Sequence, residues 1–238
     1  MEKIKIFCLP YAGGSATVYH NWFNDLNRRI ELYPVELRGR GKRYRLPLYC
    51  SINEMVEDVF NAIKYDLIDQ EYALFGHSMG SLIIFELYYK ILHAELKPPI
   101  HLFFSGMDAP HILKLNKKIL HVLPDDEFIE EIAKLGGTPQ EVIDNKELMK
   151  VFLPTLRADY RAVEMHEYTQ MENKMNSKIT VFVGENDHYS KGDPFAWSIH
   201  TDRSCAVHQF HGGHFFIHNH IEEITSIINN TLVLHERT

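Results

Sequence analysis

The run Phe75-Gly76-His77-Ser78-Met79-Gly80-Ser81 places a serine between two glycines. It follows the short apolar stretch Glu71-Tyr72-Ala73-Leu74-Phe75 and precedes a largely apolar stretch of helical length over 79–92. A strand that turns sharply into a helix leaves its corner residue in a cramped backbone conformation, so the positions on either side must be small. Gly76 and Gly80 meet that demand, and the run reads as a nucleophile elbow. Such a turn lifts the Ser78 hydroxyl above the sheet and aims the first amides of the next helix at whatever Ser78 attacks.

Away from the elbow the chain alternates short β-branched or aromatic runs with longer amphipathic ones. The pattern predicts strands over 4–9, 30–37, 72–75, 101–105, 179–183 and 206–210. It predicts helices over 18–27, 52–67, 79–92, 194–200 and 217–234. Strands and helices in alternation imply crossover units and a mostly parallel sheet with helices on both faces, an α/β class. With a nucleophile elbow the expected architecture is the α/β-hydrolase fold. The interval 108–170 breaks the rhythm with three helical segments, over about 125–135, 139–151 and 154–168, and no strand. An all-helical insertion between two strands is expected to be a lid over the carboxyl edge of the sheet. The prolines at 124, 139 and 154 and the pair Gly136-Gly137 would divide it into short pieces that move separately.

A serine hydroxyl needs a base, and in this fold the chain order is Ser, acid, His. Among 15 histidines, His214 stands out in Phe210-His211-Gly212-Gly213-His214-Phe215-Phe216, after the last strand and before the last helix. Asp187 ends the preceding strand, with Glu185 and Asp193 as rival acids. His211, His214, His218 and His220 are spaced like metal ligands, but no paired cysteine or adjacent carboxylate completes a set, so no metal is expected. His77 is expected to pack and hydrogen-bond, pointing away from the base. A tetrahedral oxyanion takes one donor from the amide after the nucleophile, Met79, and one from the loop Pro10-Tyr11-Ala12-Gly13-Gly14-Ser15; that loop also reads as a plain turn with Ser15 as helix cap.

Composition sets the outer limits. The 238 residues are 45% hydrophobic and 24% charged, enough for one large α/β domain over 1–238. A net charge of −7 argues against nucleic acid as a bulk partner. Cys8, Cys50 and Cys205 are an odd, unpaired set, which points to reduced thiols and a cytoplasmic setting. No apolar run approaches the roughly 18 residues of a membrane span. Arg38, Arg40, Lys42, Arg43 and Arg45 crowd one loop, which by default is a solvated basic turn.

The chain resembles the type II thioesterases, the stand-alone hydrolases of nonribosomal peptide, polyketide and fatty-acid synthesis. The resemblance rests on an ordered set of stretches: Phe7-Cys-Leu-Pro-Tyr-Ala-Gly-Gly-Ser-Ala16, Glu36-Leu-Arg-Gly-Arg-Gly41, the elbow, Phe104-Ser-Gly-Met-Asp-Ala-Pro-His111, Leu135-Gly-Gly-Thr-Pro139, Leu153-Pro-Thr-Leu-Arg-Ala-Asp159 and Gly212-Gly-His-Phe-Phe216. It implies a catalytic triad of Ser78, Asp187 and His214, with the amides of Ala12 and Met79 as oxyanion hole. It also implies hydrolysis of acyl groups from the phosphopantetheine thiol of an acyl or peptidyl carrier protein, a transient partner. The enzyme itself would need no cofactor and would act as a monomer. Arg38 departs from the family, which more often has proline there. Carrier contact is expected through the lid and through Arg40, Lys42 and Arg43. Alternatives are a medium-chain fatty acyl thioesterase and a hydrolase or acyltransferase of small esters or coenzyme A thioesters.

Overall fold

In the computed structural model, which describes residues 3–113, 119–138 and 140–233, six strands form one sheet. They are β1 (Ile4–Leu9), β2 (Ile30–Pro34), β3 (Tyr72–His77), β4 (His101–Ser105), β5 (Lys178–Gly184) and β6 (Cys205–Phe210). Their order is β2-β1-β3-β4-β5-β6, and every neighbouring pair is parallel. The period of two in the strands sorts the core into two layers. Phe7, Leu9, Leu74, Phe104 and Val181 face one side, where α1 (Ile52–Ile63) and α2 (Met79–His93) cover them. Ile6, Cys8, Ala73, Phe75, Phe103 and Phe182 face the other, beneath α6 (Ile221–Val233) and a 3₁₀ segment at Ala16–Asn24. This is the α/β-hydrolase architecture that the alternation predicts.

The order of strands fixes where a ligand can bind. β1 connects outward to β2, whereas β3 connects the other way to β4, so the crevice between the carboxyl ends of β1 and β3 is a topological switch point. Leu9 pairs in register with Gly76, which brings the two following loops out side by side. One of them is the glycine loop 10–15 and the other is the elbow.

Several boundaries differ from the sequence reading. The strand expected over 30–37 ends at Pro34; one more rung follows, from Val35 N–H to Cys8 O at 2.9 Å, and Val35 and Leu37 then join the apolar cluster that contains Tyr49 and Ile52. The helices expected over 18–27 and 194–200 are 3₁₀ segments, Ala16–Asn24 and Pro194–His200. α1 stops at Ile63 and passes into a 3₁₀ turn, Lys64–Leu67, and the last helix is preceded by a separate turn at Phe216–His218. Residue 234 lies outside the described residues.

Between β4 and β5 the chain forms α3 (Asp125–Leu135), α4 (Gln140–Ile143) and α5 (Lys146–Met165), which share an apolar cluster of Leu120, Phe128, Ile132, Met149, Leu156 and Tyr160. Residues 114–118 and 139 of the expected insertion lie outside the described residues. The break expected at Pro154 does not occur, since α5 runs through it. An interior proline costs about 3 kcal/mol. Here one face of the helix buries Met149, Leu156 and Tyr160, and the far side of the proline is tied to the body of the protein by Thr155, whose hydroxyl donates to Gly39 O at 3.1 Å, and by Asp159. Burial of three such side chains, at about 1.5–3 kcal/mol each, outweighs the lost hydrogen bond.

Candidate active site

Ser78 forms the N-cap of α2 with φ 52° and ψ −118°, a conformation that costs a non-glycine residue about 1–3 kcal/mol. Local bonds hold it there. Ser78 N–H donates to Ser105 O at 2.7 Å, and the Ser81 hydroxyl, buried one turn into α2, lies 2.7 Å from Gly76 O and 3.0 Å from Ser105 O. Space allows nothing larger than glycine around it. A Cβ on Gly76 would meet the Gly80 carbonyl at 2.2 Å, and one on Gly80 would meet Leu9 O at 2.2 Å.

Three side chains from three separate loops converge above this turn. His214 Nε2 lies 2.9 Å from Ser78 Oγ, and His214 Nδ1 lies 2.7 Å from Asp187 Oδ2. All three residues are buried. The other oxygen of Asp187 accepts the amides of Tyr189 (2.8 Å) and Ser190 (3.1 Å). Burial opposes ionisation of Asp187, but the bonds from His214 and those two amides outweigh it and hold the carboxyl below the ordinary aspartate value. The rival acids are engaged elsewhere. Asp193 caps the following 3₁₀ segment by accepting from Phe195 N–H at 2.9 Å, and the half-exposed Glu185 faces His211 at 3.3 Å.

His77 does not point away from the base, as its position in the elbow suggested. Its ring centroid is 5.4 Å from that of His214, and its Nδ1 lies 2.8 Å from Ser105 Oγ. Burial, reinforced by His214 and His218, pushes His77 well below the ordinary histidine value. It is a neutral packing neighbour of His214. The metal-like spacing of the C-terminal histidines disperses in space. His218 Nε2 lies 3.2 Å from Tyr11 Oη, and His220 Nε2 lies 2.8 Å from His211 O. Among the described residues no group of three or more His, Cys, Asp or Glu side chains is placed to hold a metal ion.

Ala12 and Met79 both line a small chamber of about 20 Å³ in front of Ser78, with Tyr11, Tyr160, Tyr189 and His214. Met79 opens α2, so its amide is at the positive end of the helix. Tyr11, Ala12, Tyr160 and Phe215 also line a larger space of about 240 Å³ under the helical insertion, whose apolar wall includes Ile132, Leu135, Met149 and Leu156. Ser78 therefore borders a small chamber that shares these four wall residues with the apolar space beside α3 and α5.

The basic loop is not the solvated run that its composition suggests. Arg40 is buried and makes a bidentate pair with Asp159 of α5, at 2.7 and 2.8 Å. Arg43 pairs with Asp58 at 2.6 and 2.9 Å, and Arg38 reaches the same carboxylate at 2.7 Å while stacking on Tyr49. The expectation that Arg40 meets a partner is corrected, because its guanidinium is buried against Asp159, whereas Arg43 stays 28% exposed beside Asp58. Lys42 is exposed. Nothing in the local sequence names Asp159 as the partner of Arg40.

Residues 4–232 match the thioesterase-domain family. The chain belongs to that family. A solved structure of ClbQ from the colibactin NRPS/PKS pathway is 38% identical, superposes with a TM-score of 0.93, and covers 99% of each chain. The type II thioesterase BorB of the borrelidin cluster is 34% identical with a TM-score of 0.84, over 95% of this chain and 91% of its own. The gramicidin S biosynthesis protein GrsT of Aneurinibacillus migulanus is 37% identical over 91% of this chain and 84% of its length. This member of the thioesterase family is a hydrolase of thioesters. Among the described residues no helix is long and apolar enough to cross a membrane.

Proposed function

We propose that this thioesterase removes acyl groups from the phosphopantetheine thiol of a carrier protein in nonribosomal peptide or polyketide synthesis, with Ser78 as nucleophile, His214 as general base and acid, and Asp187 as its orienter. The observation that carries the reading is the continuous pair of contacts, 2.9 Å from Ser78 Oγ to His214 Nε2 and 2.7 Å from His214 Nδ1 to Asp187. Ser78 Oγ attacks the thioester carbonyl as His214 takes its proton, and the carbonyl oxygen becomes an oxyanion facing the amides of Ala12 and Met79. When the tetrahedral intermediate collapses, the C–S bond breaks and His214 returns the proton to the departing thiol. Water then attacks the acyl-serine by the same route and releases the carboxylic acid.

Asp187, buried and ionised, keeps Nδ1 of His214 protonated so that Nε2 faces Ser78 with a lone pair. The acyl group fits the apolar chamber under α3 and α5, whose wall offers no charge to compensate a polar chain. The similarity to ClbQ, from an NRPS/PKS pathway, and to BorB, a type II thioesterase of a biosynthetic cluster, supports a carrier protein as the donor. The carrier itself stays outside, and Lys42 is the member of the predicted contact trio whose charge faces solvent. The test is to incubate the enzyme with carrier proteins loaded with acetyl, medium-chain and aminoacyl groups and to follow each by intact mass. Loss of acyl mass from the carriers supports the reading; intact acyl-carriers beside rapid hydrolysis of the matching coenzyme A thioesters would replace it with a soluble-thioester hydrolase.

A further inference from the structure

Arg40 and Asp159 are 119 residues apart in sequence, and both are nearly fully buried. A buried ion pair is weak evidence for stability by itself, because desolvation offsets most of the attraction. What distinguishes this one is the third element it holds. Asp159 Oδ2 also accepts the amide of Gly13 at 2.8 Å, and Arg40 Nη1 also donates to Gly14 O at 3.1 Å. The pair therefore grips the glycine loop after β1 through one donor and one acceptor of its backbone.

The loop has a defined shape that this grip preserves. Gly14 N–H donates to Tyr11 O at 2.9 Å, closing a turn over Tyr11, Ala12, Gly13 and Gly14. Gly13, at the third position, has φ +76°, the left-handed value that a type II turn requires there. Tyr11 C=O and Ala12 N–H belong to one trans peptide and point in opposite directions. Drawing Tyr11 O into the turn thus sends Ala12 N–H outward. The next peptide along, carrying Gly13 N–H, is the one that Asp159 fixes. Leu156, one turn before Asp159 on α5, packs so closely that a Cβ on Gly13 would lie 2.6 Å from its Cδ1.

We infer that Arg40 and Asp159 are positioning residues that preorganise the Ala12 amide for the oxyanion and lock α5 to the loop that carries it. This rests on the serine-hydrolase reading of Ser78. It makes the roof of the acyl chamber and the oxyanion donor one mechanical unit, in place of the independently moving lid pieces that the prolines predicted. The pair touches neither substrate nor nucleophile, so its loss should appear where negative charge develops on the carbonyl oxygen and not in ground-state binding.

The experiment uses Asp159→Asn, Asp159→Ala and Arg40→Lys, the last retaining the charge but not the two-pronged geometry. Two readouts are taken with a small acyl-thiol substrate and with an acyl trifluoromethyl ketone. Ser78 Oγ adds to the ketone carbon, His214 takes the serine proton, and the former carbonyl oxygen becomes a stable oxyanion. Expected is a fall in kcat of roughly 10- to 100-fold with KM within about twofold, a parallel loss of ketone affinity, and a smaller loss for Asp159→Asn than for Asp159→Ala, since asparagine still offers Gly13 an acceptor. Folded variants that keep kcat and ketone affinity, or that lose only KM, overturn the inference. A wild-type enzyme that does not bind the ketone would instead overturn the serine-hydrolase reading, so the two failures are told apart.

Discussion

Gly80 sits so close to Leu9 that a Cβ added to it would lie 2.2 Å from the Leu9 carbonyl oxygen. The start of α2 is thus pressed against the end of β1, and this contact brings the elbow and the glycine loop to one point. Backbone cannot step aside as a side-chain tip can. Gly80→Ala should cost about 3 kcal/mol or more, which for a chain of this size lowers the melting temperature by roughly 6–12 °C. A thermal melt checks it, and an unchanged midpoint would contradict the close approach.

Asp187→Asn should lower kcat on the order of 10⁴-fold, as expected where a buried aspartate sets the tautomer of the base. Asp193→Asn should leave kcat nearly intact, because Asp193 caps a 3₁₀ segment far from that role. Steady-state rates on one small acyl-thiol substrate compare the two. The same substitution has a signature in stability. The Asp187 carboxyl is held below its ordinary value, so its contribution is fully present above the unfolded value near ~3.9 and is lost as pH falls through the lower folded value. The acid limb of wild-type stability should therefore be steeper than that of the asparagine variant.

The elbow and the two side chains that meet it, His214 and Asp187, were legible in the sequence because each is written in a short run, a serine between glycines or a residue at a strand end. That both faces of the sheet are covered was legible in the alternation of strands and helices, but the sorting of Ile6 and Cys8 to one layer and Phe7 and Leu9 to the other was not, because all four are apolar. Local rules failed where a distant residue decides. Pro154 reads as a helix break, yet Asp159 and Thr155 anchor the turn that follows it. Arg40 and Arg43 read as solvated charges, yet their carboxylate partners come from α5 and α1. No spacing rule pairs position 40 with position 159. Pairing of that kind is a property of the folded sheet and its insertion.

Phe152 lines the apolar chamber but is itself about half exposed, so changing it should alter selectivity with little effect on stability. Phe152→Ala should shift kcat/KM toward longer acyl chains, and one methylene in such a pocket is worth about 1–3 kcal/mol. A competition between acyl-thiols of increasing length reads the shift. An unchanged preference would place the acyl group elsewhere.

Lys42→Glu should raise KM for acyl-carrier substrates by about 3- to 10-fold and leave a small acyl-thiol unaffected, because a rim charge acts on encounter with the partner and not on chemistry. Increasing salt should reduce the difference between the two proteins. Equal losses on both substrates would show that Lys42 supports the active site instead.

In the proposed mechanism Ser78 carries the acyl group between the two half-reactions. The most direct measurement is to mix enzyme with an acyl-loaded carrier, quench within a turnover, and locate the acyl mass by peptide mapping. One acyl group is expected on the peptide that contains Ser78, with label and turnover both lost in Ser78→Ala. An acyl group on another residue, or turnover that survives Ser78→Ala, would contradict it.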